Sequence, residues 1–291
     1  ERLMQAFLRT EPQYAELYDE VWLWSEYPER GTRTDTGVDL VARNRDTGDL
    51  TAIQCKFFAP TTTVTKAMLD SFLSASGKTT ENGTPEFTSR VVVSTADKWG
   101  KNAADAISGQ SIPVERLRVQ DLDDSSIDWS QFVWNEPTKL EKKRLKTPFD
   151  YQRTAIDDVV AGLADRDRGK LIMACGTGKT FTSLRLAEKV VPLGGTVLFL
   201  MPSIALLSQT LKEWTIQAEV PMRSFAVCSD VSVGKRRTEE DIPVTDLAFP
   251  ATTNASALVK QFDSGDGSDK LTVIFSTYQS LPVISKAQGV G

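Results

Sequence analysis

The stretch Lys170–Thr180, KLIMACGTGKT, decides the fold of the second half of this chain. Lys170–Ala174 has the apolar composition of a short buried strand, and Phe181–Val191 has the periodicity of an amphipathic helix. The glycines therefore fall at a strand-to-helix turn, where free backbone N–H groups can bind a phosphate. We expect Lys179 to reach the β- and γ-phosphates of ATP and the Thr180 hydroxyl to ligate Mg²⁺. The alternative is a glycine-rich turn that binds nothing, and the predicted ATP-binding residues are Gly176, Thr177, Gly178, Lys179 and Thr180.

The composition is that of a globular protein. The chain has 291 residues, of which 40% are hydrophobic and 25% charged, and this length is typical of about two domains. No apolar run approaches the roughly 20 residues that span a bilayer, so no membrane partner is expected. Three cysteines without metal-ligand spacing argue against a disulfide framework and favour a reducing cytoplasm. The net charge of −5 gives no basic footprint, so any contact with nucleic acid must come from local groups.

Two α/β domains joined by a polar connector are predicted from the alternation of helix and strand patterns. The first domain covers residues 1–120, the connector 121–146 and the second domain 147–291. In the first domain we expect helices at Arg2–Tyr18, Lys66–Ser76 and Lys101–Ser108, and strands at Val38–Arg43, Leu50–Phe58, Arg90–Ser94 and Arg116–Val119. In the second domain the predicted strands are Lys170–Ala174, Thr196–Met201, Arg223–Cys228 and Leu271–Ser276.

Three further motifs surround the phosphate-binding loop. Pro148–Gln152 (PFDYQ) precedes it, and Phe199–Ser203 (FLMPS) and Phe275–Ser280 (FSTYQS) follow it. In this order and spacing they resemble the first RecA-like lobe of superfamily-two helicases and translocases, from residue 147 to the end. Taken singly, a Pro-Ser pair after a strand also fits a helix start, and a Thr at a strand end also fits a cap. The resemblance implies contacts with adenine by Gln152, with the region of the base by Phe149, and with the nucleic-acid backbone by Pro202, Ser203 and Thr277.

Two parts of such a motor are not found in the sequence. No apolar strand after Thr180 ends in the Asp-Glu pair that would hold Mg²⁺ and position the attacking water. The absence of histidine excludes an Asp-Glu-Ala-His box, and no second lobe with charge-stabilising arginines follows. The chain also starts at Glu1 rather than at methionine and ends in a polar, glycine-tipped segment. We therefore expect an excerpt of a longer polypeptide that binds ATP and hydrolyses it poorly on its own.

A second set of polar residues lies in the first domain. Asp39, within GVDLVA at Gly37–Ala42, is followed by Gln54, within IQCKF at Ile53–Phe57. Strand alternation puts Gln54 and Lys56 on one face, which could line a site, while the residues between them pack on the other. An Asp on one strand of a hairpin facing Gln-x-Lys on the next resembles the Mrr-like branch of the PD-(D/E)xK nucleases, in which Gln replaces the usual second acid. The resemblance covers roughly residues 1–120.

This resemblance implies a Mg²⁺-dependent nuclease site. Phosphodiester cleavage needs a divalent cation to neutralise the phosphate and activate water, and a group that orients that water. The implied role of Lys56 is to position or activate the nucleophile. Family members often add an acid from a helix, for which Glu16 or, by slight preference, Glu20 is the candidate. The alternative is an exposed hairpin whose polar side chains simply face water. The implied metal ligands are Asp39, the amide oxygen of Gln54 and the backbone carbonyl of Cys55.

Together the two halves predict an α/β chain with a Mrr-like restriction-endonuclease fold followed by a RecA-like parallel α/β lobe. This order resembles the amino-terminal part of type ISP restriction–modification enzymes. The resemblance implies ATP-driven translocation on double-stranded DNA, cleavage when motors meet, and further domains of the same polypeptide, namely a second RecA-like lobe, a methyltransferase and a target-recognition domain. Three alternatives stay open: a restriction subunit of a type I or III arrangement, a translocase whose degenerate nuclease domain only binds DNA, and a non-enzymatic module with a ligand-gated ATPase lobe.

Overall fold

A computed structural model describes residues 1–34, 37–80, 82–133, 144–228 and 242–289. Over these residues the chain folds into two α/β units, each built around its own sheet. None of the helices in these ranges is long and apolar enough to cross a membrane. The predicted α/β class is confirmed.

The sheet of the first unit has five strands, β1 (Tyr18–Leu23), β2 (Leu40–Asn44), β3 (Leu50–Lys56), β4 (Ser89–Ser94) and β5 (Val114–Arg118). They lie side by side in chain order. β1, β2 and β3 pair antiparallel, whereas β3, β4 and β5 are parallel. β2 and β3 therefore form a hairpin in the middle of the sheet, and this hairpin carries the predicted nuclease residues.

Five short helices flank this sheet: α1 (Arg2–Thr10), α2 (Pro12–Leu17), α3 (Asp70–Ala75), α4 (Lys101–Ile107) and α5 (Val119–Asp123). Strand alternation sends apolar side chains to both faces. Val41 and Ala52 of the hairpin belong to the core under α3 and α4, whereas Leu40 and Ile53 belong to the core under α1 and α2. Because the hairpin is covered on both sides, its polar side chains must find partners inside the protein.

The second unit has four parallel strands, β6 (Thr196–Met201), β7 (Met222–Val227), β8 (Ala251–Thr252) and β9 (Leu271–Thr277), in the order β6-β9-β7-β8. Its helices are α6 (Asp150–Ala164), α7 (Lys179–Val190), α8 (Ile204–Gln217), α9 (Ala255–Ser264) and α10 (Leu281–Gln288). Trp214 of α8 packs edge-on against Phe199 and Phe275, with ring centroids 5.0 and 5.6 Å apart. This aromatic cluster joins α8 to the sheet.

The N-terminal segment differs from the single helix predicted over Arg2–Tyr18. Glu11 takes an extended conformation and Pro12 begins a second helix, because proline suits the first turn of a helix but cannot continue one. From Tyr18 the chain continues as β1, which the sequence analysis did not predict. The helical spacing of the apolar residues before Pro12 obscured this strand.

Lys170–Ala174, predicted as a strand, is not one in the structure. Ile172 within it is 80% exposed, and in the described part of the chain no strand lies beside it, since β6 pairs with β9 alone. A strand needs ladder hydrogen bonds to a neighbour, so an apolar composition was not sufficient. The other predicted strands agree with the structure within a few residues.

Residues beyond 120 pack on the first unit rather than forming a free connector. The Glu11 carboxylate accepts hydrogen bonds from the hydroxyl of Ser125 and from the backbone N–H of Ser126. Trp129 stacks on Phe7 with ring centroids 5.8 Å apart. The first unit therefore continues past the predicted boundary at residue 120. Residues 134–143 of the predicted connector lie outside the described residues.

Candidate nuclease and nucleotide sites

The candidate nuclease site lies at the end of the β2–β3 hairpin opposite its turn. Asp39 precedes β2, and its backbone N–H donates to the Ile53 carbonyl at 2.8 Å. Its carboxylate accepts the backbone N–H of Cys55 at 2.6 Å. A hydrogen bond to an ionised acceptor is shorter and stronger than one between neutral groups. These two bonds hold the Asp39 side chain against the edge of β3.

Gln54 is 1% exposed, and the two ends of its amide differ. Its Nε2 donates to the Gly37 carbonyl at 2.8 Å, whereas its Oε1 is buried and has no hydrogen-bond partner among the described residues. Leaving a buried carbonyl oxygen unpaired costs roughly 1–3 kcal/mol. Gly37 has φ +101°, and a Cβ there would approach Gln54 Nε2 at 3.3 Å, so this close contact needs a glycine.

The register of the hairpin brings Gln54 and Asp39 together. The paired register ends at Leu40 and Ile53. Asp39 bonds to the backbone of both Ile53 and Cys55, so it lies beside Gln54, the residue between them. Lys56 is half-buried and shares the face of Gln54, because it lies two residues further along β3. The structure therefore assembles the Asp, Gln and Lys of the predicted site at one end of the sheet.

The backbone carbonyl of Cys55 points to the same place. The Lys56 carbonyl accepts the N–H of Thr95 on the β4 side, and successive carbonyls of a strand point to opposite edges. The Cys55 carbonyl therefore faces the β2 side, where Asp39 lies. The Cys55 thiol packs against the core under α1 and α2, and burial raises its pKa to about 12, so the thiol is not a nucleophile.

These donors fit a hard divalent cation. A carboxylate, an amide oxygen and a peptide carbonyl are the oxygen ligands that Mg²⁺ binds. The buried oxygen of Gln54 gains a partner when it ligates an ion. Within the described ranges no three or more His, Cys, Asp and Glu residues are grouped so that they could hold a metal ion. The donor set thus has one carboxylate and depends on the amide and the backbone.

Neither predicted helix acid reaches this cluster. Glu20 lies on β1 rather than on a helix, opposite Arg43. Arg43 is four residues from Asp39 along the chain, which is roughly 13 Å at the rise of a strand. Glu16 does lie on a helix, α2, but its carboxylate pairs with Lys270 of the second unit at 2.8 Å. Both assignments are therefore corrected.

Two side chains of the predicted phosphate-binding loop, Gly176–Thr180, bond to the same backbone carbonyl. The Thr177 hydroxyl and the Lys179 ammonium both donate to the Ala174 carbonyl, at 2.7 and 3.2 Å. Gly176 and Gly178 have φ of +76° and +73°, which side-chain-bearing residues rarely adopt. α7 begins at Lys179, so its first N–H groups border the loop. A helix start of this kind attracts and binds phosphate.

Thr180 is the second residue of α7 and is half-buried. Its carbonyl accepts the Trp214 indole N–H at 3.1 Å and the Ser183 hydroxyl at 2.7 Å. The loop is thereby joined to α8 and its aromatic cluster. Ligation of Mg²⁺ by the Thr180 hydroxyl stays a prediction.

Gln152 connects α6 to the loop. Its Nε2 donates to the Thr177 carbonyl at 3.0 Å, and its Oε1 accepts the Phe149 N–H at 2.9 Å. A Cβ on Gly178 would lie 2.6 Å from Gln152 Nε2, so the amide and the loop are in close contact. The structure brings Gln152 to the predicted ATP site, and its contact with adenine stays a prediction.

An exposed aromatic pair stands beside this contact. The rings of Phe149 and Tyr151 are 65% and 51% exposed and lie nearly parallel, with centroids 5.8 Å apart and planes 14° apart. Tyr151 also donates its hydroxyl to the Thr177 carbonyl at 3.3 Å. The sequence analysis did not single out Tyr151, although its place within the PFDYQ motif was the available signal.

The three predicted nucleic-acid contacts differ in accessibility. Pro202 is exposed, and Ser203 is the N-cap of α8, with its hydroxyl accepting the Leu206 N–H at 3.3 Å. Thr277 is only 3% exposed, and its hydroxyl lies 3.1 Å from that of Ser280. The predicted DNA contact of Thr277 is therefore corrected, since its side chain is a buried cap. The two residues that follow Thr277 are exposed.

A candidate metal-ligand set on a strand hairpin and a glycine-rich loop before a helix place the chain in the class of nucleases joined to a nucleotide-binding motor lobe. Comparison with protein families agrees with this class. A restriction endonuclease family matches residues 9–139. The family described as type III restriction enzyme, res subunit, matches residues 145–289. Among curated proteins, none matches the chain.

Two solved structures are similar. The ATP-dependent type ISP restriction-modification enzyme LlaBIII bound to DNA is 40% identical with a TM-score of 0.83, over 100% of this chain and 18% of that chain. A nuclease-deletion mutant of the type ISP enzyme LlaGI, in complex with a DNA substrate mimic, is 39% identical with a TM-score of 0.41, over 50% of this chain and 14% of that chain. The chain therefore pairs a restriction-endonuclease domain with a helicase-like domain, and it is similar over its whole length to part of the type ISP enzyme LlaBIII. It spans less than a fifth of the LlaBIII chain.

Proposed function

We propose that the full-length protein is an ATP-dependent restriction endonuclease that cleaves double-stranded DNA with Mg²⁺ and couples cleavage to helicase-like translocation. The observation that carries this proposal is the buried Oε1 of Gln54, which lies beside Asp39 and has no hydrogen-bond partner among the described residues. In a hairpin whose polar residues merely face water, Gln54 would be exposed rather than 1% exposed. A buried acceptor without a partner is costly, and a metal ion bound beside Asp39 would supply the missing partner.

The cleavage chemistry divides among few groups. Asp39, the Gln54 amide oxygen and the Cys55 carbonyl would hold Mg²⁺, which supplies charge neutralisation at the phosphate and a more acidic bound water. The hydrogen bond from Cys55 N–H keeps the Asp39 carboxylate fixed, so little reorganisation is needed during the reaction. Lys56 is half-buried on the same face and would orient the attacking water and offset developing negative charge.

The second unit would supply the energy. The loop from Gly176 to Thr180 and the start of α7 would bind the phosphates of ATP, with Lys179 on the β- and γ-phosphates and Thr180 on Mg²⁺. Gln152 would contact adenine, and the exposed ring of Phe149 offers a surface for the base. Pro202 and Ser203 would contact the DNA backbone.

The remaining parts of the proposal concern the whole polypeptide. Hydrolysis and translocation would need further domains, which we propose to be a second RecA-like lobe and, beyond it, methyltransferase and target-recognition domains. We propose the cytoplasm as its location, in keeping with three free cysteines in the described residues.

The test uses the full-length protein with long DNA, Mg²⁺ and ATP, and measures double-strand breaks and DNA-stimulated ATPase activity. We expect Asp39→Ala to abolish cleavage with ATPase activity retained, and Lys179→Ala to abolish both. Asp49→Ala is the matched control, because Asp49 belongs to the same hairpin but lies beyond the turn, away from the site. Cleavage that survives Asp39→Ala would contradict the nuclease assignment, whereas no cleavage by the wild type with ATPase intact would favour a DNA-binding role for the first unit.

A further inference from the structure

The turn of the nuclease hairpin contacts the motor lobe directly. Asp46, between β2 and β3, accepts a hydrogen bond from Arg223 Nε at 2.7 Å, and Arg223 lies on β7 of the second unit. The side chains are 25% and 8% exposed. The turn itself is held by Asn44, whose side-chain oxygen accepts the backbone N–H of Asp46 at 3.0 Å. The contact therefore joins two ordered elements.

Arg223 is fully engaged on the lobe side. Its terminal nitrogens donate to the carbonyls of Gln261 and Phe262 in the last turn of α9. Its guanidinium lies 4.8 Å from the ring of Phe225 and 5.8 Å from that of Phe262. A buried guanidinium needs an anionic partner, and removing that partner leaves an uncompensated charge. Asp46 supplies the partner from the other unit.

The surrounding backbone is shaped for this carboxylate. A Cβ on Gly265 would collide with the carboxylate of Asp46, so a larger residue fits there only if Asp46 moves or is replaced. A second buried ion pair, between Arg116 and Asp246 at 3.0 Å, joins β5 to the second unit away from the hairpin. The hairpin itself has a further ion pair with this lobe, and it is more exposed. Asp49, in the same hairpin, pairs with Lys260 at 3.6 Å, with side chains 32% and 64% exposed. Exposed pairs of this kind contribute little.

The hairpin that is held at Asp46 carries the nuclease site at its other end. Asp39 and Asp46 are seven residues apart along β2, roughly 20 Å at the rise of a strand. Ladder hydrogen bonds on both sides, from β1 and β4, make the hairpin stiff between these points. A shift of β7 or α9 is therefore passed to the position of Asp39 and Gln54 rather than absorbed by a flexible connection.

We propose that Asp46 and Arg223 are positioning residues that fix the nuclease hairpin to the motor lobe, so that the metal-ligand set keeps its place relative to the DNA that the motor carries. This proposal rests on the proposed function. A displacement of about 1 Å at a reacting centre can cost roughly a hundredfold in rate. Loss of this contact should accordingly lower cleavage by about that factor without altering the phosphate-binding loop.

The experiment compares Asp46→Ala and Asp49→Ala with the wild type in the full-length protein. We expect Asp46→Ala to lower double-strand cleavage roughly a hundredfold with DNA-stimulated ATPase activity near the wild-type value, and Asp49→Ala to cleave normally. Undiminished cleavage by Asp46→Ala would overturn the proposal. A parallel loss of ATPase activity would assign Asp46 to folding and also overturn it.

Replacing the ion pair of Asp46 and Arg223 by a disulfide tests whether the hairpin needs the charge of Asp46 or only a fixed position. Because a Cβ on Gly265 would lie against the Asp46 side chain, the pair Asp46→Cys with Gly265→Cys puts two thiols within reach of each other. We expect this double variant to cleave DNA when oxidised and to lose cleavage when reduced, whereas reductant leaves the wild type unchanged. Failure of the oxidised form to cleave would overturn the positioning role. Asp39→Ala, measured alongside, must abolish cleavage, and if it does not, the proposed function fails rather than this inference.

Discussion

The backbone N–H of Cys55 donates to the carboxylate of Asp39 across 2.6 Å, and Asp39 lies immediately before β2 begins at Leu40. The start of β2 thus supplies the carboxylate. The end of β3 supplies both the N–H that holds this carboxylate and the backbone carbonyl of Cys55. A site built on the ends of two paired strands is more rigid than one built on loops.

Gln54→Leu separates function from stability. The substitution removes a buried oxygen that has no partner among the described residues, and keeps a side chain of similar volume. The lost hydrogen bond to Gly37 is worth about 1 kcal/mol and is offset by removal of the unpaired oxygen. We expect unfolding free energy to change by no more than about 1 kcal/mol, while Mg²⁺-dependent cleavage is lost. Denaturant unfolding and a cleavage assay over a Mg²⁺ titration measure the two quantities, and normal cleavage would show that the oxygen is not a ligand.

Gly178→Ala should weaken ATP binding more than Gly176→Ala. Both glycines have a positive φ, so alanine costs about 1–2 kcal/mol of backbone strain at either position. Only at Gly178 does the new Cβ also collide with Gln152, at 2.6 Å, while nothing lies within 4 Å at Gly176. Titration with a fluorescent ATP analogue measures both affinities. Equal losses of ATP affinity would mean that the Gln152 side chain moves aside without weakening ATP binding.

The nuclease pattern could be predicted because Asp39, Gln54 and Lys56 lie on adjacent strands of a local hairpin, where alternation fixes the face of each residue. β1 was missed because the apolar spacing before Pro12 suits a helix, and only the proline signalled a break. The contact between Asp46 and Arg223 joins residues 177 positions apart. No local pattern reports such a contact, since it depends on how two separately folded units meet.

Thr277 shows a different limit. A threonine at the end of a strand matches both a DNA contact and a cap, and only burial distinguishes them. The motif located the residue correctly at the end of β9, while its 3% exposure decides its role. Composition similarly suggested a strand at Lys170–Ala174, which the structure does not form because no described strand pairs with it.

Glu115 should make stability fall as pH rises. It lies on β5 within the core that holds Tyr14 and Tyr18, and burial raises its pKa from 4.5 to about 8. In the unfolded chain the carboxyl ionises near its ordinary pKa, so between 4.5 and about 8 the folded state binds more protons. The contribution of the protonated Glu115 to stability is therefore fully present below pH 4.5 and is lost as the pH rises to about 8. Above that pH, stability no longer depends on this group.

Glu115→Gln removes this titration. We expect the variant to match the wild type near pH 5 and to unfold at a higher temperature at pH 8, since a neutral amide replaces a carboxylate that must ionise in a dry core. Thermal unfolding across this range measures the difference. Glu26→Gln, at an exposed position, is the control. It should change the unfolding temperature by the same amount at both pH values. Parallel curves for Glu115→Gln and wild type would contradict the prediction.

Ser203 can be tested as a cap and as a DNA contact separately. Its hydroxyl accepts the Leu206 N–H at the start of α8, so Ser203→Ala should cost about 1 kcal/mol of stability whether or not DNA binds there. Ser203→Asp keeps an acceptor and adds a negative charge that a helix N-terminus favours, so stability should be at least that of the wild type. A phosphate next to Asp would be repelled, and DNA affinity should fall more for Asp than for Ala.

The matched control for this charge is Asn254→Asp. Asn254 caps α9 in the same way, with its side-chain oxygen accepting the Ala257 N–H at 3.1 Å, and it belongs to no predicted DNA contact. The substitution adds the same charge to the same kind of helix start, so it should leave DNA-stimulated ATPase activity of the full-length protein unchanged. Because repulsion of a phosphate weakens with ionic strength, the defect of Ser203→Asp should shrink as salt is added. If both Asp variants bind DNA equally well in low salt, Ser203 acts as a helix cap alone.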